Sequence, residues 1–285
     1  MSTFPRTTVG GVSVSRMIIG TNWFLGFSHT TAAKDNLIKS TMDARKVADV
    51  IEVFLNAGVD TIMGLHQWPV MRDAVKEAQQ RTGKKLIVVS TPHLPVTPET
   101  PAQGLDLGEV AKILDAERAL GTTFCFPHGV TVDALLDRCT RQIRHLPPVM
   151  KMIRERGLIP GLSTHMPESV IYADESGLDV ETYIQLYNSM GFLMQVEVDW
   201  IANVIRNAKK PVMTIKPFAA GQLRPFQALH FVWNTLRDQD MVTVGTMTPD
   251  EAKECVELSL AILERRKADV TLQETRSKGS IKPRA

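Results

Sequence analysis

Residues 211–269 read PVMTIKPFAAGQLRPFQALHFVWNTLRDQDMVTVGTMTPDEAKECVELSLAILERRKAD. Two patterns alternate within this stretch. PVMTIKPFAAG (211–221) and MVTVGT (241–246) are short apolar runs of strand length that contain several β-branched residues. Each leads into a longer segment with helical spacing, PFQALHFVWNTLRDQ (225–239) and TPDEAKECVELSLAILERRKAD (248–269), the second with Thr248 placed as its N-cap. Strand, helix, strand, helix in that order builds a parallel sheet with right-handed crossovers.

The same alternation runs back toward the N-terminus. Strand-like runs are MIIGTNWF (17–24), VDTIMG (59–64), KLIVVSTPH (85–93), TTFCFPHG (122–129), LIPGLSTH (158–165) and ETYIQLYNSM (181–190). Between them, ARKVADVIEVFLNAG (44–58) carries an apolar stripe of Val47, Val50, Ile51, Phe54 and Leu55 and stops at Gly58. A helix from Pro69 to about Arg81 carries Val70, Met71, Ala74, Val75 and Ala78 and stops at Gly83. Further helices are read at 105–121, from Val132 with Thr131 as cap, after Pro147 and Pro148, at 196–210, and as a short helix or loop at 167–177. The fold this predicts is α/β: eight strands and eight helical segments in strict order make a closed (β/α)8 TIM barrel, here a single domain spanning 1–285. Gly10 and Gly11, set between alternating residues, predict an N-terminal hairpin within 1–15 that plugs the barrel bottom; 271–285 reads as a polar tail.

Composition narrows the class. The 285 residues hold 33 basic and 31 acidic side chains, a net charge of +2, which argues against a nucleic-acid footprint. Hydrophobic residues at 44% and charged residues at 22% are those of a globular protein. Cys125, Cys139 and Cys255 are odd in number and far apart, so a disulfide scaffold is not expected and a reducing cytoplasm fits. The N-terminus has no apolar signal segment and no run approaches membrane-spanning length, so no membrane partner is expected.

Barrel enzymes place their chemistry at the C-terminal ends of the strands. Four of the seven histidines fall at consecutive strand tips, His66, His93, His128 and His165, followed by Asn188 and Lys216 on the next two. Convergent imidazoles can ligate a divalent metal such as zinc or manganese, or bind substrate separately, as would Asn188 and Trp23. Lys216 within the apolar MTIKPF can clamp an anion, act as a base or Schiff-base amine, or pair with Asp60. Asp60 can serve as a base, orient a histidine, ligate a metal, or form a structural ion pair. The long stretch Asn22–Asp43 reads as a loop, either a lid carrying Trp23 or a contact with a second subunit in a homo-oligomer.

The ordered set VGGVSVSRMIIGT (9–21), NAGVDTIMG (56–64), GLSTH (161–165), IKPFAAGQL (215–223) and TVGTMTPDEAKECVEL (243–258) resembles the aldo-keto reductase superfamily over nearly the whole chain. The resemblance implies the barrel and a catalytic Asp, Tyr, Lys and His. It places Asp60 at the Asp position and His128 at the His position. Leu65-His66 stands where the Tyr is expected and Pro92-His93 where the Lys is expected, so the proton donor and its lysine are missing. The nucleotide-binding pattern retains Gly245 and Thr246 but lacks the following Arg, which weakens the expectation of NADPH. The function expected is acid–base chemistry, with Asp60, His128 and Lys216 as catalytic groups. A divalent metal held by His66, His93, His128 and His165 can assist. The substrate is a small carbonyl or polyhydroxy compound, so isomerase, epimerase, lyase and hydrolase are all open. A divergent NAD(P)-dependent reductase using His66 or His93 as the acid, and a non-catalytic ligand-binding barrel, are the alternatives.

Overall fold

The structure is a computed structural model that describes residues 3–273 and 275–281. Arg6–Val9 (β1) and Val12–Ser15 (β2) form an antiparallel hairpin, turned at Gly10 and Gly11 in left-handed conformations that suit glycine. The barrel follows with Met17–Gly20 (β3), Thr61–Gly64 (β4), Ile87–Ser90 (β5) and Phe124–Cys125 (β6). A second small antiparallel hairpin, Leu136–Asp137 (β7) with Gln142–Ile143 (β8), interrupts the series. It resumes with Ile159–Pro160 (β9), Leu162–Ser163 (β10), Tyr183–Leu186 (β11), Val212–Ile215 (β12) and Met241–Val244 (β13).

The parallel strands pair in the order β10-β11-β12-β13-β3-β4-β5-β6-β9. β9 and β10 are consecutive in the chain with Gly161 between them. β9 pairs with β6, whereas β10 pairs with β11, so the two halves of one strand close the ring. The expected eight-stranded TIM barrel is therefore present, matched to the eight strand-like runs of the sequence. The break has two local causes. Pro160 has no N–H to give to a ladder, and the Phe126 ring lies over Gly161, where a Cβ would come within 2.2 Å of Cε1.

Strand alternation sorts the core into two layers. Met63, Val89, Phe124, Ile184, Met213 and Met241 fill the barrel interior together with Val9 and Val14 of the hairpin. Their neighbours Ile62, Val88, Cys125, Tyr183, Val212 and Val242 pack outward with the helices, including Ala44–Asn56, whose predicted stripe is fully buried. Each such aliphatic or aromatic side chain contributes about 1.5–3 kcal/mol when removed from water. The hairpin closes the N-terminal ends of the strands, as expected. There the Ser15 backbone N–H donates to Thr61 Oγ1 at 3.2 Å, and Arg6 pairs with Asp60 at 2.9 Å.

The structure corrects several local expectations. The stretch Asn22–Asp43 is not a plain loop: it contains the helices Asn22–Leu25 and Ala32–Thr41, the second capped by the Thr31 hydroxyl accepting from the Lys34 N–H. Ile38 alone of that second helix is buried, so the segment carries no apolar stripe to announce it. The helix expected from Val132 begins at Gly129 with His128 as N-cap, and the Thr131 hydroxyl donates instead to the Leu94 carbonyl at 3.0 Å. Thr248 does cap Pro249–Leu263, in a reciprocal capping box with Glu251. Within the expected tail, Arg276–Gly279 is a short helix; residue 274 and residues 282–285 lie outside the described residues. All three cysteines are free, and among the described residues no helix is long and apolar enough to cross a membrane.

Candidate active site

At the C-terminal mouth of the barrel lies a cavity of about 610 Å³. Its floor is the last interior layer, with Met63, Ile184 and Ile215. His128, His165 and Lys216 line it from three strand ends, and Trp23 and His29 from the segment after β3. The lining beyond Lys216, the arm of the cavity, comes from the 217–225 loop, including Arg224, and from the start of Pro249–Leu263, including Cys255.

His128 and His165 are held in different ways. His128 Nδ1 accepts the Val130 N–H at 3.2 Å, which assigns the neutral ring a proton on Nε2. Burial, with His93 and His165 close by, pushes its pKa down to about 4, so the ring is neutral at physiological pH. His93 stacks on it with ring centroids 3.8 Å apart. His165 Nδ1 bonds Asp133 Oδ2 at 2.9 Å. The Asp133 carboxylate also accepts from the Thr164 hydroxyl at 2.7 Å and from the His165 backbone N–H at 3.2 Å. The acceptor character of that carboxylate makes Nδ1 the donor and leaves the His165 Nε2 lone pair without a partner among the described residues. Gly129 makes room for this ring: a Cβ there would stand 3.0 Å from its Cε1 and Nδ1.

Lys216 sits just past β12 in the left-handed region (φ 61°), and Ala219 and Ala220 follow at 48° and 55°. Non-glycine residues pay roughly 1–2 kcal/mol each for that conformation, so the loop is held in place by its surroundings. The Lys216 Nζ lies 2.8 Å from His29 Nε2. Because His29 Nδ1 bonds the Phe27 carbonyl at 2.9 Å, that nitrogen is the donor and Nε2 accepts from the lysine. Burial lowers the Lys216 pKa to about 8, and burial with the adjacent lysine lowers that of His29.

Three of the expected site residues lie elsewhere than the cavity, and a fourth borders it only through a neighbour. Asp60 precedes β4 and pairs with Arg6 at the opposite end of the barrel, since a residue before a parallel strand emerges on the bottom face. Asn188 is buried and closes its own turn, accepting from the Met190 and Phe192 N–H groups and donating to the Phe192 carbonyl. His66 is 6% exposed with Nδ1 unpartnered, yet does not line the cavity. His93 is exposed and reaches the site through its stack on His128. The metal set is corrected accordingly: among the described residues no group of three or more His, Cys, Asp or Glu is arranged to hold a metal ion, and His66, His93, His128 and His165 are not a ligand set. Sequence reasoning missed His29, Asp133 and Gly129. A histidine far along a polar segment has no periodicity to announce it, but an Asp four residues into the helix that follows a strand-tip His was a findable signal.

The arm carries its own chemistry. Thr246 is 4% exposed with its Oγ1 lacking any hydrogen-bond partner, and the Thr21 hydroxyl at the near end is likewise buried and unpartnered. Both residues line the cavity. The three tyrosines do not: Tyr183 bonds Asp174, Tyr187 bonds Thr235, and Tyr172 stacks under Arg141.

No protein-family profile and no curated protein matches the sequence. Solved structures do. The chain superposes on a protein from Pseudomonas aeruginosa assigned as an aldo-keto reductase, at 17% identity and TM-score 0.64, over 90% of this chain and 95% of that one. An aldo/keto reductase from Brucella melitensis matches at 14% identity and TM-score 0.59, over 96% and 95%. An aldo-keto reductase from a Medee basin deep-sea metagenome library matches at 10% identity and TM-score 0.60, over 95% and 91%. At these identities the likeness is one of fold: the chain has the barrel of the aldo-keto reductases.

Proposed function

We propose that the chain is an oxidoreductase that reduces a small carbonyl compound at the barrel mouth with a nicotinamide nucleotide, using Lys216 in place of a tyrosine as proton donor. The nucleotide fits the residues present. The Thr21 and Thr246 hydroxyls in the cavity lining lack hydrogen-bond partners, and Arg224, also in the lining, is a cation without an ion pair among the described residues. Arg224 would meet the pyrophosphate, and the two hydroxyls would hold the nucleotide's polar edges. The chemistry such a nucleotide would supply there is a hydride for the carbonyl carbon.

The protein groups answer the charge that develops on the substrate oxygen. Lys216, with a pKa of about 8, is an ammonium at neutral pH and can give up a proton at modest cost, which suits a general acid. Accepting one of its N–H bonds, His29 orients the other two toward the cavity. The Nε2–H of neutral His128 donates to the same oxygen without adding a second positive charge. His165, fixed by Asp133, offers an acceptor to a neighbouring hydroxyl, so a hydroxy-carbonyl compound is the favoured substrate class.

The observation that carries this reading is Lys216, half-buried in the lining of the mouth and held by His29. The test is consumption of reduced nicotinamide nucleotide with a panel of small hydroxyaldehydes and ketones. Lys216→Met is expected to lower kcat by roughly 10²–10⁴-fold, the usual contribution of a general acid, while nucleotide binding is retained. An unchanged kcat in that variant would remove Lys216 from the role.

A further inference from the structure

We infer that the arm of the cavity selects NAD(H), whose adenosine ribose carries a free 2′-hydroxyl, over NADP(H), whose ribose carries a phosphate there; this rests on the nucleotide reading given above. With the nicotinamide at Lys216, the adenosine half lies in the arm. The wall it meets is acidic. Glu251 and Glu254 both line the arm, one helical turn apart on the same face of Pro249–Leu263. Neither has an ion-pair partner among the described residues, and nearby Lys253 pairs with Asp250 instead.

Glu251 is also fixed in place. Its Oε2 accepts the Met247 N–H at 2.6 Å and the Thr248 N–H at 3.2 Å. Those amides sit where a helix start would otherwise offer donors to a phosphate. These two amides are committed to the chain's own carboxylate, and the Glu251 N–H to Thr248 Oγ1, so an incoming dianion meets the Glu251 carboxylate at these donors. The same carboxylates are good acceptors for the two hydroxyls of an unmodified ribose, which is how an acidic residue recognises this group in other dinucleotide sites. The buried, unpartnered Thr246 hydroxyl, in the same lining, gives a ribose or its neighbouring polar atoms a further partner. Arg224, which also lines the cavity, is left to the pyrophosphate.

Titration calorimetry with NADH and with NADPH on the full chain tests this, beside Glu251→Gln and Glu254→Gln. Glutamine at 251 keeps an oxygen for the Met247 and Thr248 N–H groups, so the helix cap survives; melting curves check that both variants remain folded. The wild type is expected to bind NADH at least about tenfold more tightly than NADPH, by repulsion between the 2′-phosphate and the carboxylates. Added salt is to shrink the ratio through screening, and each variant is to narrow it mainly by tightening NADPH. NADPH binding as tight as NADH in the wild type, or a ratio that neither variant moves, would overturn the inference while leaving the nucleotide reading intact. Binding of neither nucleotide would overturn both.

Discussion

At Lys216 the fold keeps a charged amine where burial disfavours the charge. The folded-state pKa of about 8 lies below the ordinary lysine value of 10.5. Between those values the unfolded chain binds more protons than the folded one, so stability rises with pH through that window, and below about 8 the full penalty is present. Lys216→Met, which removes the charge and keeps an apolar stem, is therefore expected to raise Tm at pH 7, with the gain shrinking as pH approaches 10.5. Melting curves across that range check it, and a lower Tm at pH 7 would show Lys216 to be a structural cation. A gain in stability with a loss of activity is the signature of a strained functional group. Sequence reading found Lys216, His128, His165 and Trp23 because each ends or follows an apolar run, and strand ends on one face share a mouth. It misplaced Asp60 because the Asp stands before Thr61, the first residue of β4, and so emerges at the N-terminal end of the strand beside Arg6, a strand length away from the mouth.

Among the elements, the split strand 159–163 closes the barrel and positions His165 directly after it. Gly161 is required there by close approach, not by a left-handed backbone, because Phe126 occupies the space over its Cα. Gly161→Ala is expected to destabilise the fold by about 1–3 kcal/mol, the range for overpacking, with an unchanged m-value in urea denaturation. Phe126→Leu, which shortens the ring, should recover part of that loss when combined with it. Purely additive effects in the double-mutant cycle would mean that the ring is not the obstacle. The alternation of strands and helices was legible because eight amphipathic or buried segments repeat the same two periods. The helices Asn22–Leu25 and Ala32–Thr41 were not, since they bury only Phe24, Leu25 and Ile38 and their sequence is otherwise polar. They nonetheless bring Trp23 and His29 to the cavity.

Over the whole molecule, the N-terminal hairpin seals one end of the barrel and the other end opens to the cavity, so the sealed end and the candidate site occupy opposite faces. The sequence carried the barrel because its two periods of burial repeat along the chain, though not the short helices after β3. It carried the site only in part, because a site is made where segments distant in sequence meet: His29 and Lys216 are 187 residues apart and touch at 2.8 Å. The proposed reaction class rests on that meeting, and two kinds of chemistry compete for it. Acid–base isomerisation rearranges the substrate's own hydrogens, whereas reduction adds a hydride from outside. Running the reaction with reduced nicotinamide nucleotide deuterated at C4, and weighing the product by mass spectrometry, separates them directly. The account predicts an alcohol carrying one deuterium at the former carbonyl carbon, formed by the wild type and not by Lys216→Met. A product that carries no deuterium, or a substrate isomerised without consumption of the nucleotide, would contradict it.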